Sequence, residues 1–180
     1  DDKLTGNSLA NTLDGRGGRD TLTGGAGDDT YKFQPYGDAD TVVEFANGGS
    51  DTLDYSAYQN ASVGINVNLA DGATSVTNGG TVTTGIRNIE TIIGGSGGRD
   101  TLTGPNVNNV WNLTATNAGN INSKVNFSAF EQLAGVLHDV ADRVDLQFQG
   151  GQSPVAMPFQ IFQFQPRHPF QDVSLAEGQV

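Results

Sequence analysis

Oxygen ligands crowd the head of this 180-residue chain. It carries sixteen Asp and four Glu, and eleven of the Asp lie within the first 71 residues. Their spacing is regular. Asp2-Lys3-Leu4, Asn11-Thr12-Leu13, Asp20-Thr21-Leu22 and Asp29-Thr30-Tyr31 repeat an Asp/Asn–x–apolar unit every nine residues, and Asp38 keeps the register without its apolar partner. Carboxylates stacked at strand spacing, about 4.8 Å, repel one another. A hard divalent cation with six to eight oxygen ligands removes that repulsion. Soft metals lack ligands here, since the chain has no Cys and two distant His. Asp suits the role better than Glu because its short side chain stays within a turn.

The elements that must hold these acids follow from the same text. Residues 15–23 read GRGGRDTLT and 24–32 read GGAGDDTYK, while 6–14, GNSLANTLD, are a degenerate copy. The text returns at 95–103, GSGGRDTLT, and continues through 104–112, GPNVNNVWN. Looser copies stand at Asp40-Thr41-Val42 and Asp51-Thr52-Leu53. Six Gly-rich residues ending in Asp form a tight turn, because Gly tolerates positive φ. Three residues with a central apolar side chain form a short strand that points it inward. Two such units complete one turn of a flattened coil, so residues eighteen apart stack. Asp2, Asp20 and Asp38 then share one edge, Asn11 and Asp29 the other, and Leu4, Leu13, Leu22 and Tyr31 fill the interior. The expected metal ligands are Asp2, Asn11, Asp20, Asp29, Asp38, Asp40, Asp51 and Asp100, with backbone carbonyls of the Gly-rich loops at Gly15, Gly17, Gly24 and Ala26. Asp51, Asp54 and Asp71 equally suit solvated turns that cap their own backbone.

On these residues the sequence resembles the RTX family of haemolysin-type calcium-binding nonapeptide repeats, whose pattern G-G-x-G-x-D-x-U-x is met throughout 24–32. The resemblance is strong at 6–32 and 94–104 and extends over residues 1 to about 135, where GGSDTLDYSA (48–57), VGINVNLADG (63–72) and GIRNIETIIGGSGGRDTLTG (85–104) are in the style of large RTX adhesins and surface proteins. It implies a parallel β-roll, calcium ions between turns and export by a type I secretion system with an uncleaved C-terminal signal. The departures are specific. The first array spans about two turns, Asn11 replaces an acid, and Asp100 has Val82 and Ala118 where an eighteen-residue period would put its acidic mates. The second array is therefore expected to bind a cation more weakly than the first.

The fold class expected is all-β, a parallel β-roll or β-solenoid, in four segments. Residues 1–56 form the N-terminal roll and 57–130 a continued solenoid that includes the second array at 94–112. Between the arrays, Val63, Ile65, Val67 and Leu69 alternate with polar residues as in a half-buried strand. Residues 131–149 are a connector that admits a helix, since Leu133, Val136, Leu137, Val140 and Val144 recur at helical spacings over 129–147. Residues 150–180 are a Gln/Pro/Phe-rich arm: 147–179 hold eight of the eleven Gln and 154–169 four of the six Pro. PFQIFQFQP alternates like a strand that could add to another sheet. The chain also opens on the end of a nonapeptide, Asp2-Lys3-Leu4-Thr5, which fits either a cut from a longer protein or a neighbouring subunit that supplies the next turn.

Composition narrows function further. Nine Lys+Arg against twenty Asp+Glu, a net charge of -11, argue against nucleic-acid binding, which needs clustered cations. No apolar run reaches the roughly 18 residues of a membrane span, and no secretory leader is read at the N-terminus. Gly94-Gly95-Ser96-Gly97-Gly98 fits G-x-S-x-G formally, but the strand–turn–helix context and the His and acid partners of a nucleophile elbow are missing. There is no H-E-x-x-H motif, His138 and His168 read as surface residues, and Trp111 occupies the inward slot of its repeat. The expectation is a non-enzymatic, extracellular or cell-surface calcium-binding module, a stacking subunit of a fibre, matrix or adhesin that self-associates into filaments. The alternative is the secretion and folding module of a type I-secreted hydrolase or toxin.

Overall fold

The computed structural model describes residues 1–35, 40–59, 64–70, 73–76, 82–84, 86–97, 99–107, 109–134 and 145–148. The described residues contain strands and turns and no helix, and none of them forms a helix long and apolar enough to cross a membrane. In chain order the strands are β1 (Lys3–Thr5), β2 (Thr12–Asp14), β3 (Thr21–Thr23), β4 (Thr30–Lys32), β5 (Thr41–Val43), β6 (Thr52–Asp54), β7 (Ile65–Asn68) and β8 (Ala73–Val76). They continue as β9 (Val82–Thr84), β10 (Thr91–Ile93), β11 (Thr101–Thr103), β12 (Val110–Ala115), β13 (Ala118–Ile121), β14 (Val125–Ser128), β15 (Gln132–Ala134) and β16 (Asp145–Phe148).

Among the described residues these strands form two eight-stranded sheets. Sheet I runs β1-β3-β5-β9-β8-β7-β11-β15 and sheet II runs β16-β12-β13-β14-β10-β6-β4-β2. The first six strands alternate between the sheets and pair in parallel with the strand after next. Leu4 lies beside Leu22 and Leu13 beside Tyr31, eighteen residues apart as the nonapeptide period requires. The interval then lengthens: Leu22 pairs with Val42, Tyr31 with Leu53, and Leu53 with Ile92. Among the described residues, antiparallel pairing is confined to two meanders, β7–β8–β9 in sheet I and β12–β13–β14 in sheet II. Each meander fills three positions of a sheet. Parallel pairing resumes on its far side, β7 with β11 and β12 with β16.

The helix expected over 129–147 is corrected at both ends, where Gln132–Ala134 pairs with β11 and Asp145–Phe148 with β12. Leu133 is buried as the single inward residue of its strand. A three-residue strand shows one inward side chain, so its period of two has no room to appear. Residues 135–144, the arm at 150–180, and Asp38, Asp71, His138 and His168 lie outside the described residues.

The core lies between the sheets. Leu22 and Val42 of sheet I face Leu13, Tyr31, Leu53 and Ile92 of sheet II, all buried. Further along, Trp111 is 1% exposed and meets Phe127 edge-on at 5.8 Å, with Phe127 in turn against Phe130. Trp111 is thus a core residue, as its slot in the repeat implies. Phe33 and Tyr55, which end successive turns on one side, stack at 4.5 Å. These inward ladders hold the turns in register and so fix the spacing of the acids at the edges.

Candidate metal centre

Each acid of the repeat sits just before its strand, at the point where the chain enters a sheet. Its backbone and side chain then link successive turns. The N–H of Asp2 donates to Asp20 Oδ1 at 2.6 Å, and the N–H of Asp20 donates to Asp40 Oδ1 at 2.9 Å. On the opposite edge the N–H of Asn11 donates to Asp29 Oδ1 at 2.7 Å, that of Asp29 to Asp51 Oδ1 at 2.9 Å, and that of Asp51 to Glu90 Oε2 at 2.8 Å. One carboxylate oxygen per residue is thereby used to staple the neighbouring turn.

The other oxygen is a different matter. Asp20, Asp29 and Asp51 are each 2% exposed or less, and the Oδ2 of each is buried with no hydrogen-bond partner. An ionised carboxylate oxygen left dry and unpaired is strongly disfavoured. The leading glycine of each repeat makes the room. A Cβ on Gly15 would strike Asp20 Oδ2, one on Gly24 would strike Asp29 Oδ2, and one on Gly6 would strike Asn11 Oδ1. The glycine five residues before the acid thus leaves the room into which the acid's side chain folds back.

One group of acids is denser than the rest. Asp29, Glu44 and Asp51, all buried, bring one carboxylate oxygen each within 4.8 Å of one another. At an effective dielectric near 20, each ionised pair at that separation repels by at least about 3 kcal/mol. Burial, with Glu44 and Asp29 as negative neighbours and the Asp29 N–H opposing, raises Asp51 to a pKa of about 6. The Tyr31 hydroxyl donates to Glu44 Oε1 at 2.5 Å and accepts the Gly24 N–H at 2.7 Å. Burial and the bond to Glu44 push this hydroxyl far above the ordinary tyrosine range, so it is a neutral donor. The residues present suit a hard cation: anionic oxygens, dry surroundings, and unused lone pairs.

The second array is built otherwise. Asp100 is fully buried, but its Oδ1 accepts the Ile65 N–H at 2.8 Å and its Oδ2 accepts the Gly95 N–H. Its own N–H donates to Glu131 Oε2 at 2.9 Å, and Glu131 Oε1 accepts Asn117 Nδ2 at 2.9 Å. Every oxygen of this pair is occupied by a protein donor. Burial still raises Asp100 to about 6, against the two N–H donors that lower it and with Glu131 adding.

The expected ligands thus divide. Asp20, Asp29, Asp40 and Asp51 are stacked at the turns, with Asp2 and Asn11 exposed or half-buried beyond them. Asp40 holds the position above Asp20 that the nine-residue register gives to Asp38. Asp100 does have an acidic mate, Glu131, at a separation of 31 residues rather than eighteen. Gly15 and Gly24 lie against the acids of their own repeats, Ala26 donates its N–H to Asn7 O at 3.1 Å, and a side chain on Gly17 would meet open space. Asp54 caps its own turn by accepting the Ser56 N–H. Glu44, Glu90 and Glu131 do not stand out in the sequence. Glu44 has a signal nonetheless: Asp2, Asn11, Asp20 and Asp100 are each followed four residues later by Gly, and Asp40 by Glu44.

Set against family models, curated proteins and solved structures, the chain matches none.

Proposed function

We propose that this chain is an RTX-like, calcium-binding structural module that works outside the cell as a β-solenoid, with no catalytic role. Calcium ions sit at the turn edges, held by Asp20 with Asp40 and by Asp29 with Asp51, and backbone carbonyls of the glycine-rich loops complete the shell. The observation that carries this reading is the trio of buried, unpartnered Oδ2 atoms on Asp20, Asp29 and Asp51. A cation at each turn satisfies them and cancels the repulsion between stacked acids. Calcium fits better than magnesium, which demands near-ideal octahedral geometry and sheds its water reluctantly. Extracellular calcium is plentiful enough to fill loop sites of about 10⁻⁴–10⁻³ M. Binding is coupled to folding, since the acids meet only when the turns stack. The module stacks with like modules into a surface fibre, matrix or adhesin, its parallel sheets being the kind of surface to which further strands add.

Circular dichroism in EGTA tests the reading. The β signal should fall, and millimolar calcium but not magnesium should restore it. An unchanged spectrum, together with elemental analysis finding no bound calcium, would remove the proposal. Light scattering with and without calcium tests assembly: particles that stay monomeric at high concentration in calcium would leave a binding module without the stacking role.

A further inference from the structure

By the repeat alone the turns would be equivalent two-acid sites. They are not equivalent. Glu44 stands after β5 in the column that Gly6 and Gly24 occupy after β1 and β3, so one edge of the molecule has a carboxylate where its neighbouring turns have none. The side chain reaches over Gly24, where a Cβ would meet Asp29 Oδ2, Glu44 Oε1 and the Tyr31 hydroxyl together. Three side-chain oxygens from two segments, one carrying Asp29 and Tyr31 and the other Glu44, therefore converge on the face left bare by one glycine. Asp51 Oδ2 is buried and unpartnered beside them. Glu44 is held in place from two sides, by the Tyr31 hydroxyl on Oε1 and by the Phe45 N–H on Oε2 at 3.1 Å.

We propose that Asp29, Glu44 and Asp51 form one three-carboxylate centre that takes a single hard cation of charge two or three, calcium or a lanthanide, with Tyr31 fixing Glu44 from just outside the ligand shell. The proposal rests on the reading of the turns as cation sites and adds a ligand, a charge and a selectivity to one of them. Three carboxylates carry a charge of minus three, so calcium leaves one negative charge and a trivalent ion of similar size leaves none. Ligand charge count is a principal control on the affinity of oxygen sites. This centre should fill before the Asp20–Asp40 edge. It should also favour a trivalent ion over calcium more strongly than that edge does.

Terbium(III) is the probe, because its emission is sensitised by a nearby aromatic ring and Tyr31 is hydrogen-bonded to a ligand. Terbium titrated into the full chain should give tyrosine-sensitised emission that saturates at one tight site and is displaced by excess calcium. Glu44→Gln should weaken that site by at least about tenfold through the loss of one anionic ligand. Asp20→Asn should leave it within about twofold, as expected for a separate edge. Tyr31→Phe should keep most of the affinity and lose more than half of the emission. Glu44→Asp, which keeps the charge, guards against a Gln variant that fails to fold and should bind better than Gln. Unchanged terbium affinity in Glu44→Gln, or undiminished emission in Tyr31→Phe, would overturn the three-carboxylate centre. Calcium-dependent folding would then survive on the two-acid turns. If neither terbium nor calcium binds the parent chain, the wider reading falls with it.

Discussion

Asp51 and Asp100 close the same kind of turn, yet their oxygens are spent differently. Asp51 gives Oδ1 to the Asp29 N–H and keeps Oδ2 buried and unpaired among other acids. Asp100 gives both oxygens to backbone donors, Ile65 and Gly95, and receives Glu131 as a neighbour that is itself bonded to Asn117. The physical lesson is that a repeat motif specifies where an acid sits and leaves open how it is satisfied. At Asp20, Asp29 and Asp51 one buried carboxylate oxygen is left without a hydrogen-bond donor. Asp51 faces the longer interval, 39 residues to Glu90, and still keeps an unpaired oxygen, whereas at Asp100 the Gly95 N–H of its own turn closes over the second oxygen.

Calcium removal should separate the two regions most sharply. Each site filled at 100 times its dissociation constant adds about 2.7 kcal/mol of stability, so several sites together exceed what a local region can lose and remain folded. Hydrogen exchange in EGTA should show amides of β3 through β6 losing protection while β11, β13 and β14 keep theirs. Uniform loss across the chain would mean that one cooperative unit spans both regions and that the distinction has no energetic weight.

Substitution at the acids sharpens the same contrast. Asp29→Asn keeps the shape of the turn and removes a ligand charge. It should abolish most of the calcium-induced rise in melting temperature while leaving the calcium-free chain equally or more stable. Asp100→Ala orphans the Ile65 and Gly95 N–H groups, at about 1–3 kcal/mol for each buried donor left unmade. That loss should be the same with and without calcium. Thermal melts of both variants in calcium and in EGTA decide the point. A calcium-dependent penalty for Asp100→Ala would put a cation in the second array after all.

The part of this arrangement legible in the sequence is the part with a fixed period. Leu4, Leu13, Leu22 and Tyr31 land inward, and Asp2, Asn11, Asp20 and Asp29 land on the turns, because nothing interrupts the nine-residue count. Beyond Lys32 the loops lengthen and counting fails. Asp40 replaces Asp38 at its edge, and Glu90 and Glu131 meet their partners across 39 and 31 residues. The meanders add a further reason. Each places its first strand far along the sheet and returns toward the earlier turn, so neighbours in space are strangers in sequence. The mate of Asp100 is therefore Glu131 and not position 82 or 118, where an eighteen-residue count would put it.

Protonation offers a subtler test. Asp51 and Asp100 both have folded pKa values of about 6 against 3.8 for an unperturbed carboxyl. Between those values the folded state holds more protons than the unfolded one, so stability falls as pH rises through this window. The calcium-free chain should therefore be more stable at pH 5 than at pH 7. With calcium bound as proposed, the ion competes for the Asp51 carboxylate and should cancel that residue's share, whereas the share from Asp100 should persist. Melting temperatures at both pH values, with and without calcium, in the parent and in Asp100→Asn, check the sign and the division. Equal pH slopes in calcium and in EGTA would show that the cation leaves Asp51 untouched.

The smallest expected effect concerns glycine. Gly15 and Gly17 belong to one turn and look interchangeable in a glycine-rich repeat. The atoms nearest a Cβ on Gly15 belong to the Asp20 side chain, its Oδ2, Cβ and Cγ, whereas one on Gly94 in the second array would strike the Ala129 carbonyl as well as Asp100 Oδ2. A side chain can swing away more easily than backbone. Gly15→Ala should thus fold in EGTA with a modest penalty and lose calcium affinity as Asp20 is displaced. Gly94→Ala should be destabilised whatever the calcium concentration. Gly17 meets nothing and is not among the residues at positive φ, unlike Gly18, Gly25 and Gly27. Gly17→Ala should therefore shift stability by no more than about 0.5–1 kcal/mol, in the stabilising direction, because it narrows the unfolded ensemble without straining the turn. Calcium titrations and melts of the three variants rank them. A Gly17→Ala variant that loses calcium as badly as Gly15→Ala would mean that the ion lies on the outer face of the turn, away from the carboxylates that fold back over Gly15.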